Sequence, residues 1–286
     1  MARLPASVAL VLLAACAAPP PATVDARLAT LPPDASLVVA LDAPSLLASP
    51  ALAELLTGAG FAPEVLSGLA GAPGLRVDDV RLGCDELGCV ALLEGEFVDA
   101  AAAIEGLLAR PPAGLDLVRA GGELRGIDAI TEAGDDLVLR VLADDKAVFG
   151  DRAAVQAAWE RRGGGGLDAA AVAAAVPPSE NWVLLRAPAR LESAVAARLE
   201  LRRPGAGAAW RAQVARVRAQ VPELDGVDAL GVGLSLGGAP GVRVRATCRD
   251  DTTAEALAAR GAGLGREVVR AGRVVDVVGV VGWGAP

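Results

Sequence analysis

The chain has no histidine and no tyrosine, and Lys146 is its only lysine. Without histidine, Ser-His-Asp and Cys-His nucleophile activation, histidine-ligated zinc and imidazole acid–base catalysis are all excluded. Schiff-base chemistry would have to use Lys146, which falls in the turn-like segment Asp144-Asp145-Lys146 and is expected to be a solvated side chain. We therefore predict no catalytic residue, no cofactor and no metal, and we expect the protein not to be an enzyme.

Positive charge is also scarce, with 27 basic against 35 acidic residues and a formal net charge of −8. Phosphate binding requires a basic field, so a nucleic-acid partner is not expected. One local basic region could meet anionic lipid headgroups, although its arginines are spread around a predicted helix, which favours a solvated outer face. Its members are Arg198, Arg202, Arg203, Arg211, Arg216 and Arg218.

No apolar run is long enough to span a bilayer, which takes about 20 residues. The N-terminal run, residues 8–15, follows the lone charge of Arg3 and ends at Leu13-Ala14-Ala15-Cys16. This pattern predicts a signal peptide over residues 1–15 and a lipobox, with cleavage before Cys16 and a lipid on its sulfur. The alternative is an ordinary signal peptide in which Cys16 is incidental.

The remaining sequence divides into a tether and two folded parts. Residues 16–33 contain two proline runs and are predicted to form an extended tether that follows the lipidated cysteine. A first α/β module is expected over residues 34–176 and a second over residues 177–286, with the boundary at Pro177-Pro178.

Hydrophobic periodicity predicts one element order in both parts, β-α-β-β-α-β, which is the split βαβ arrangement. The predicted fold class is therefore α+β, with two ferredoxin-like modules in tandem, offset by about 145 residues, and extra short antiparallel strands in the first. The first module has strands at 36–42, 77–84, 89–97, 115–119, 124–131, 136–142 and 146–149, and helices at 43–56, 63–70, 98–110, 152–162 and 167–176. The second has strands at 181–186, 227–236, 242–248 and 273–281, and helical regions at 189–221 and 251–270.

Three cysteines remain after Cys16, in a compartment that would be oxidising after export. Cys84 and Cys89 flank the four-residue loop 85–88, so a regular hairpin opposes them and predicts a disulfide. A zinc site is the competing interpretation, with Cys248 or carboxylates completing the ligand set. Cys248 is otherwise expected to be a buried, inert thiol.

The acidic pairs and glycine clusters are interpreted as structural features rather than as binding or catalytic sites. The acidic pairs, expected mostly in solvated turns or caps, are Asp78-Asp79, Asp85-Glu86, Asp135-Asp136, Asp144-Asp145 and Asp250-Asp251. Residues 163–166, four glycines, are interpreted as a linker because no Lys-Ser or Lys-Thr follows them. Gly261, Gly263 and Gly265 lie inside a helical pattern and give no usable dinucleotide signal.

Four features are distinctive: the lipobox, residues 31–42 (LPPDASLVVALD) with Ser49-Pro50, the step Gly95-Glu96-Phe97 into a helix, and residues 147–151 (AVFGD). Together they resemble uncharacterised lipoproteins of GC-rich, myxobacteria-like genomes. The resemblance implies the export route and the repeated α/β organisation, and it implies no activity.

Together these features predict a lipid-anchored cell-envelope protein with a non-enzymatic binding or structural role. Its expected partners are the membrane, through the anchor, and an unidentified envelope protein or ligand. Because Ala17 rather than Asp follows Cys16, the periplasmic side of the outer membrane is favoured over the inner membrane. Two alternatives stay open: a carboxylate-dependent hydrolase of envelope glycans, and a carrier of an apolar ligand between the modules.

Overall fold

A computed structural model describes residues 26–44, 76–85, 88–98, 105, 108–109, 117–119, 129–132, 137–161, 164–186, 192–193, 196, 200, 205–235 and 241–280. The strands are β1 Leu37–Asp42, β2 Arg76–Cys84, β3 Cys89–Glu96, β4 Leu117–Arg119, β5 Ala129–Glu132, β6 Leu137–Ala143, β7 Lys146–Asp151, β8 Asn181–Arg186, β9 Val227–Ser235, β10 Gly241–Cys248, β11 Glu267–Ala271 and β12 Val274–Val280. The α-helices are α1 Arg152–Glu160, α2 Ala169–Ala175, α3 Ala206–Gln220 and α4 Asp251–Gly263, and 3-10 helices span Ala26–Thr30 and Pro222–Gly226.

The described strands form one sheet in the order β11-β12-β10-β9-β8-β1-β2-β3-β7-β6-β5-β4. Each adjacent pair is antiparallel. β1 and β8 meet at the centre, where Val38 lies opposite Leu184 and Ala40 opposite Trp182. Both strands have apolar residues on both faces, which predicts central strands, and the structure confirms that position.

The mixed α+β class is confirmed, but two ferredoxin-like modules are not. A split βαβ unit places its first strand beside the second strand of the hairpin that follows. Here β1 and β8 each pair with the first strand of that hairpin, β2 and β9 respectively. Element order along the chain does not fix which hairpin strand becomes the neighbour, so the sequence pattern could not distinguish the two sheets.

The two halves nevertheless mirror each other around the central pair. From the centre outward, β1, β2, β3, β7 and β6 correspond to β8, β9, β10, β12 and β11. Val38 and Ala40 are buried on β1, and Trp182 and Leu184 on β8. The buried positions of the two strands therefore match at an offset of 144 residues. Because side chains alternate between the two faces along a strand, an offset of 145 would match residues of opposite faces.

The larger core lies on one face of the sheet, which we call face A, the face of Val38 and Leu184. The 3-10 helix Ala26–Thr30 contributes to this core, since Leu28 is 2% exposed and the following Leu31 is 1% exposed. Residues 26–33 therefore belong to the fold, and the prediction of an extended tether is wrong for these residues. The prolines of the predicted tether favour an extended chain. Leu28 and Leu31, which bury this segment in the core, are too few to predict a folded element from the sequence.

A smaller core lies on the opposite face, face B, where α4 packs over the second half of the sheet. The sequence predicted one helix over 251–270, but α4 ends at Gly263 and strand β11 follows. Gly265 adopts φ +70° in the turn between them, a conformation that glycine reaches at low cost. The β-branched pair Val268-Val269 then favours a strand.

The sequence of β10 alternates between apolar and polar residues from Val242 to Cys248, and the burial follows it: Ala246 and Cys248 are buried on face B while Arg243 is exposed on face A. On α3 the apolar residues at helical spacing are less covered, since Val217 is 43% exposed. The helices predicted at 43–56, 63–70 and 98–110 lie largely or wholly outside the described residues, as does most of the helical stretch before α3.

Candidate functional site: a cavity beneath helix α2

An apolar cavity of about 320 Å³ lies between α2 and face A of the second half of the sheet. Its roof is formed by Ala171, Val172, Ala174 and Ala175 of α2, and its floor by Leu184, Arg186, Ala229, Thr247 and Val274. This volume is at the lower end of ligand pockets, which span about 300–1,000 Å³. The lining is apolar except for Arg186 and Thr247.

The outer part of the floor is a single row of directly opposed residues. Arg186 lies opposite Ala229, Ala229 opposite Thr247, and Thr247 opposite Val274. Opposed residues of an antiparallel pair project from the same face, so all four side chains point toward α2. We call these four residues the cavity row. The small side chains of Ala229 and of the α2 alanines leave the space.

Helix α2 is fixed at both ends. The Asp168 carboxylate accepts hydrogen bonds from the backbone N–H groups of Ala170 and Ala171, at 2.9 and 3.3 Å, and caps the N-terminus. At the C-terminus, Nη1 of Arg245 donates to the carbonyl oxygens of Val176 (3.1 Å) and Ala174 (3.4 Å). The sequence predicted a short helix over 167–176 but neither contact.

Arg245 is itself anchored to the sheet by Asp276 on β12. Its Nε and Nη2 donate to the two carboxylate oxygens of Asp276 at 2.7 and 2.9 Å, a bidentate pair. The hydrogen bond to Asp276 raises the pKa of Arg245. Arg245 therefore links the C-terminus of α2 to two neighbouring strands.

Two glycines on β9 let the segment after α2 lie close to the sheet. A Cβ at Gly231 would stand 2.3 Å from the carbonyl oxygen of Ala175, and a Cβ at Gly233 would stand 2.9 Å from Cβ of Ser179. The Ser179 hydroxyl donates to the carbonyl oxygen of Leu234 at 2.7 Å. The C-terminal end of α2 therefore rests on the sheet, while the cavity opens at the cavity row.

Arg186 brings a positive charge to the cavity wall. Its backbone N–H donates to the carbonyl oxygen of Ser36 at 2.7 Å, and its Nη1 donates to the carbonyl oxygen of Pro33 at 3.3 Å. Within the described part of the chain, the structure gives this guanidinium no carboxylate partner.

The corresponding row in the first half of the sheet is charged. It crosses β1, β2, β3 and β7, and each of its residues lies directly opposite the next: Asp42, Asp79, Glu94 and Lys146. We call them the charged row. Arg27 reaches over it, with Nη1 3.3 Å from Oδ2 of Asp79 and 3.1 Å from Oε2 of Glu94.

Asp79 has a second cation beside it, since Nη1 of Arg81 lies 2.6 Å from its Oδ1. Burial raises the pKa of Asp79, and the charges of Arg81 and Arg27 oppose that rise. Asp78 and Asp79 lie in β2, within the strand predicted over 77–84, so this acidic pair does not occupy a solvated turn.

The other acidic pairs follow the predictions where they are described. Asp144 and Asp145 are exposed in the turn between β6 and β7, and Asp250 caps α4 through a 2.7 Å hydrogen bond from the backbone N–H of Thr253. Residues 86, 135 and 136 lie outside the described part. Asp151 directly precedes α1, and aspartate is a favoured N-cap residue, but it makes no side-chain cap bond; its Oδ2 accepts a hydrogen bond from the backbone N–H of Cys89 at 2.6 Å instead.

The cysteines are placed as the hairpin predicted. Cys84 and Cys89 are opposed residues of β2 and β3 and form a disulfide. Cys248 is a free, buried thiol whose pKa is raised, first by burial and then by Asp250 and Asp228. No group of three or more potential metal ligands occurs among the residues that the structure describes. Cys16 lies outside the described residues.

The basic region is only partly described. Arg211 and Arg216 are exposed on α3, and Arg218 forms an ion pair with Glu192 at 2.9 Å. Arg198, Arg202 and Arg203 lie outside the described part. Of the helices that the structure describes, none is long and apolar enough to cross a membrane.

Comparison with known proteins gives the fold and no family. No protein-family model matches the chain, and no curated protein matches it. Among solved structures, crystal form I of TP0453 is similar, with a TM-score of 0.51 and 9% sequence identity over 91% of this chain and 93% of that chain. The likeness extends over most of both chains and shows a shared fold.

Proposed function

We propose that this chain is a lipid-anchored cell-envelope protein with a non-enzymatic binding role, and that the cavity beneath α2 takes an apolar ligand. The cavity carries the proposal: it measures about 320 Å³, and seven of its nine lining residues are Ala, Val or Leu. Ligand sites are mostly apolar concavities with a few polar groups that fix orientation. This one has two such groups, Arg186 and Thr247.

The position of the cavity fits a carrier of an apolar ligand between the two halves. Its roof, α2, precedes the predicted boundary at residue 177, and its floor follows that boundary. A hydrolase has less support, because a pair of carboxylates must remain available for acid–base or nucleophilic work. Asp79 and Glu94 share Arg27, and the cavity lining contains no acidic residue among those described.

We further propose that the halves are divergent copies of one β-α-β-β-α-β unit, each with an added outer strand. The mirrored strand order and the matching buried positions on β1 and β8 support this origin. In this proposal, the charged row and the cavity row occupy equivalent places in the two copies. One copy fills that place with ion pairs, and the other keeps a small apolar space.

The proposed localisation is based on the lipobox at residues 13–16, which indicates a lipid anchor, and on Ala17, which favours the periplasmic side of the outer membrane. Cys16→Ser should abolish lipid labelling and leave the protein soluble or as an uncleaved precursor. Membrane association of a cleaved but unlabelled Cys16→Ser protein would contradict the anchor. This experiment tests the lipid anchor and not ligand binding in the cavity. A pull-down of the lipidated protein from its envelope tests the remaining alternative, a protein partner.

Binding can be tested with N-phenyl-1-naphthylamine, a neutral probe whose fluorescence rises in apolar surroundings. The wild-type chain should bind it saturably at one site. Ala229→Leu adds side-chain volume to the cavity floor and should weaken binding by about tenfold or more. Ala143→Leu is the matched control, since Ala143 is an exposed strand residue in the other half of the sheet.

The Ala143→Leu protein should bind as the wild type does. Equal binding by the Ala229→Leu protein, with an unchanged melting temperature, would place the probe elsewhere and overturn the assignment of the cavity. Absence of saturable binding to the wild type would overturn the apolar-ligand function itself.

A further inference from the structure

Among the described residues that line the cavity, Arg186 is the charged one. Arg186 ends β8, and its side chain leaves the floor on the same face as the buried Leu184, two residues earlier. Its guanidinium has five N–H donors, of which the structure occupies one, through a 3.3 Å bond to the carbonyl oxygen of Pro33. Four of the five N–H donors of Arg186, which lies beside the apolar cavity, therefore remain available to a ligand.

Three other arginines that lie beside the two rows have carboxylate partners. Arg245, two residues from Thr247, is held by both carboxylate oxygens of Asp276. Arg81 and Arg27 lie against Asp79. Among the described residues Arg186 has no carboxylate partner, and neither has the exposed Arg243; of these two arginines, Arg186 lines the cavity. Its missing counter-ion is a group that the ligand can supply.

Resting on the proposed apolar-ligand function, we infer that the cavity selects a single-chain amphiphile with a carboxylate headgroup, of the fatty-acid type, and that Arg186 binds the headgroup. An arginine binds a carboxylate through two parallel N–H···O bonds, with fixed geometry. The chain then runs from Arg186 over Ala229 and Thr247 toward Val274, along the cavity row. Opposed strands are about 4.8 Å apart, so this path is about 14 Å long.

Two features favour a carboxylate over a phosphate headgroup. A phosphate monoester carries between about 1.5 and 2 negative charges near neutral pH, whereas the described lining residues offer one guanidinium. The volume, about 320 Å³, is at the small end of ligand pockets and suits one acyl chain better than two.

The test uses the full chain and three probes that compete with N-phenyl-1-naphthylamine: dodecanoate, 1-dodecanol and a single-chain glycerophosphate with a dodecanoyl group. Dodecanoate should bind about tenfold or more tightly than the alcohol, because a hydrogen-bonded ion pair in an apolar site adds at least that factor. Arg186→Gln should remove this preference while the alcohol binds as before. Arg216→Gln, which removes an exposed charge on α3, should leave the preference intact.

Each remaining outcome has a separate meaning. If the alcohol binds as tightly as dodecanoate and Arg186→Gln changes neither, the headgroup inference is wrong, while the apolar site stands. If the glycerophosphate probe binds more tightly than dodecanoate, the assignment of a carboxylate is wrong. If none of the probes nor the neutral dye binds the wild type, the proposed function fails together with the inference. Arg186→Lys, which keeps the charge but loses the bidentate geometry, should retain part of the preference.

Discussion

Asp42 and Arg186 are the last residues of the two central strands, and they lie on the same face of the sheet at opposite ends of the β1–β8 pair. Asp42 begins the charged row, and Arg186 begins the cavity row. Because the strand order is mirrored around this pair, each row crosses the corresponding four strands of its own half. The same architecture therefore holds an ion-pair cluster in one half and a cavity in the other.

The first prediction concerns the charged row. Glu94→Gln should lower the free energy of unfolding by about 1–2 kcal/mol, because Arg27 and Lys146 lose the carboxylate between them. Glu96→Gln is the control on the same strand: Glu96 and its partner Arg76 are 50% and 60% exposed, so the change should stay within about 0.5 kcal/mol. Urea unfolding measures both, and equal effects would contradict a structural role for the cluster.

The second prediction concerns the attachment of α2. Arg245→Gln removes the bidentate pair with Asp276 and both bonds to the end of the helix, and should lower the free energy of unfolding by about 2–3 kcal/mol. Amide hydrogen exchange should rise at Val172 and Val176, whose N–H groups bond within this helix and its cap. The exposed Arg243→Gln should change stability by less than about 0.5 kcal/mol. Unchanged exchange at both amides would count against the attachment.

The third prediction concerns the close approach of α2 to β9. Gly231→Ala places a Cβ against the carbonyl oxygen of Ala175, which must move, and the cost should be about 1–3 kcal/mol. Gly263→Ala is the opposite case, because a Cβ there meets nothing within 4 Å and Gly263 is the last residue of α4. That change should stabilise the protein by up to about 1 kcal/mol. Thermal unfolding distinguishes the two, and the same sign for both would contradict the packing.

The sequence alone predicted the parts of the fold whose signal is local. β8 follows from a short apolar run, the β2–β3 hairpin follows from two strand-like runs joined by the turn at 85–88, and the opposed Cys84 and Cys89 follow from that hairpin. The identity of the neighbour of β8 depends on contacts more than 100 residues apart in the chain, between 37–40 and 182–185. Local patterns do not contain that information.

The cavity could not be predicted for the same reason. The period of two along a strand assigns Ala229, Thr247 and Arg186 each to one face of its own strand. It does not show that α2 covers that face. The alanine-rich sequence of α2 predicts a helix and says nothing about the space that its small side chains leave. Arg245 and Asp276 are 31 residues apart, and without a regular spacing their pairing gives no sequence signal.

The fourth prediction concerns the disulfide between Cys84 and Cys89. Replacing both residues by alanine should lower the free energy of unfolding by about 2 kcal/mol, since the bridge closes only a short loop in the unfolded chain. Mass spectrometry of unreduced, alkylated protein should show Cys84 and Cys89 unlabelled. Free thiols at both positions in exported material, or stoichiometric zinc, would reject the bridge.

The last prediction concerns the pH dependence of the α4 cap. The pKa of Asp250 is lowered, chiefly because the backbone N–H of Thr253 donates to its carboxylate and secondly because the Thr253 hydroxyl does. When folding lowers the pKa of a carboxyl group, its ionised form stabilises the fold at every pH above the pKa of the unfolded chain, which is 3.8 here. This stabilisation is lost as the pH falls through the lower pKa of the folded protein.

Asp250→Asn keeps an acceptor for the N–H of Thr253 but no longer titrates. Its melting temperature should lie below that of the wild type at neutral pH, and the gap should close as the pH falls from about 5 to about 2. Asp250→Ala, which loses the acceptor altogether, should melt below the asparagine variant at neutral pH. Melting curves over this range test the cap: a gap that widens on acidification would show that ionised Asp250 does not stabilise α4.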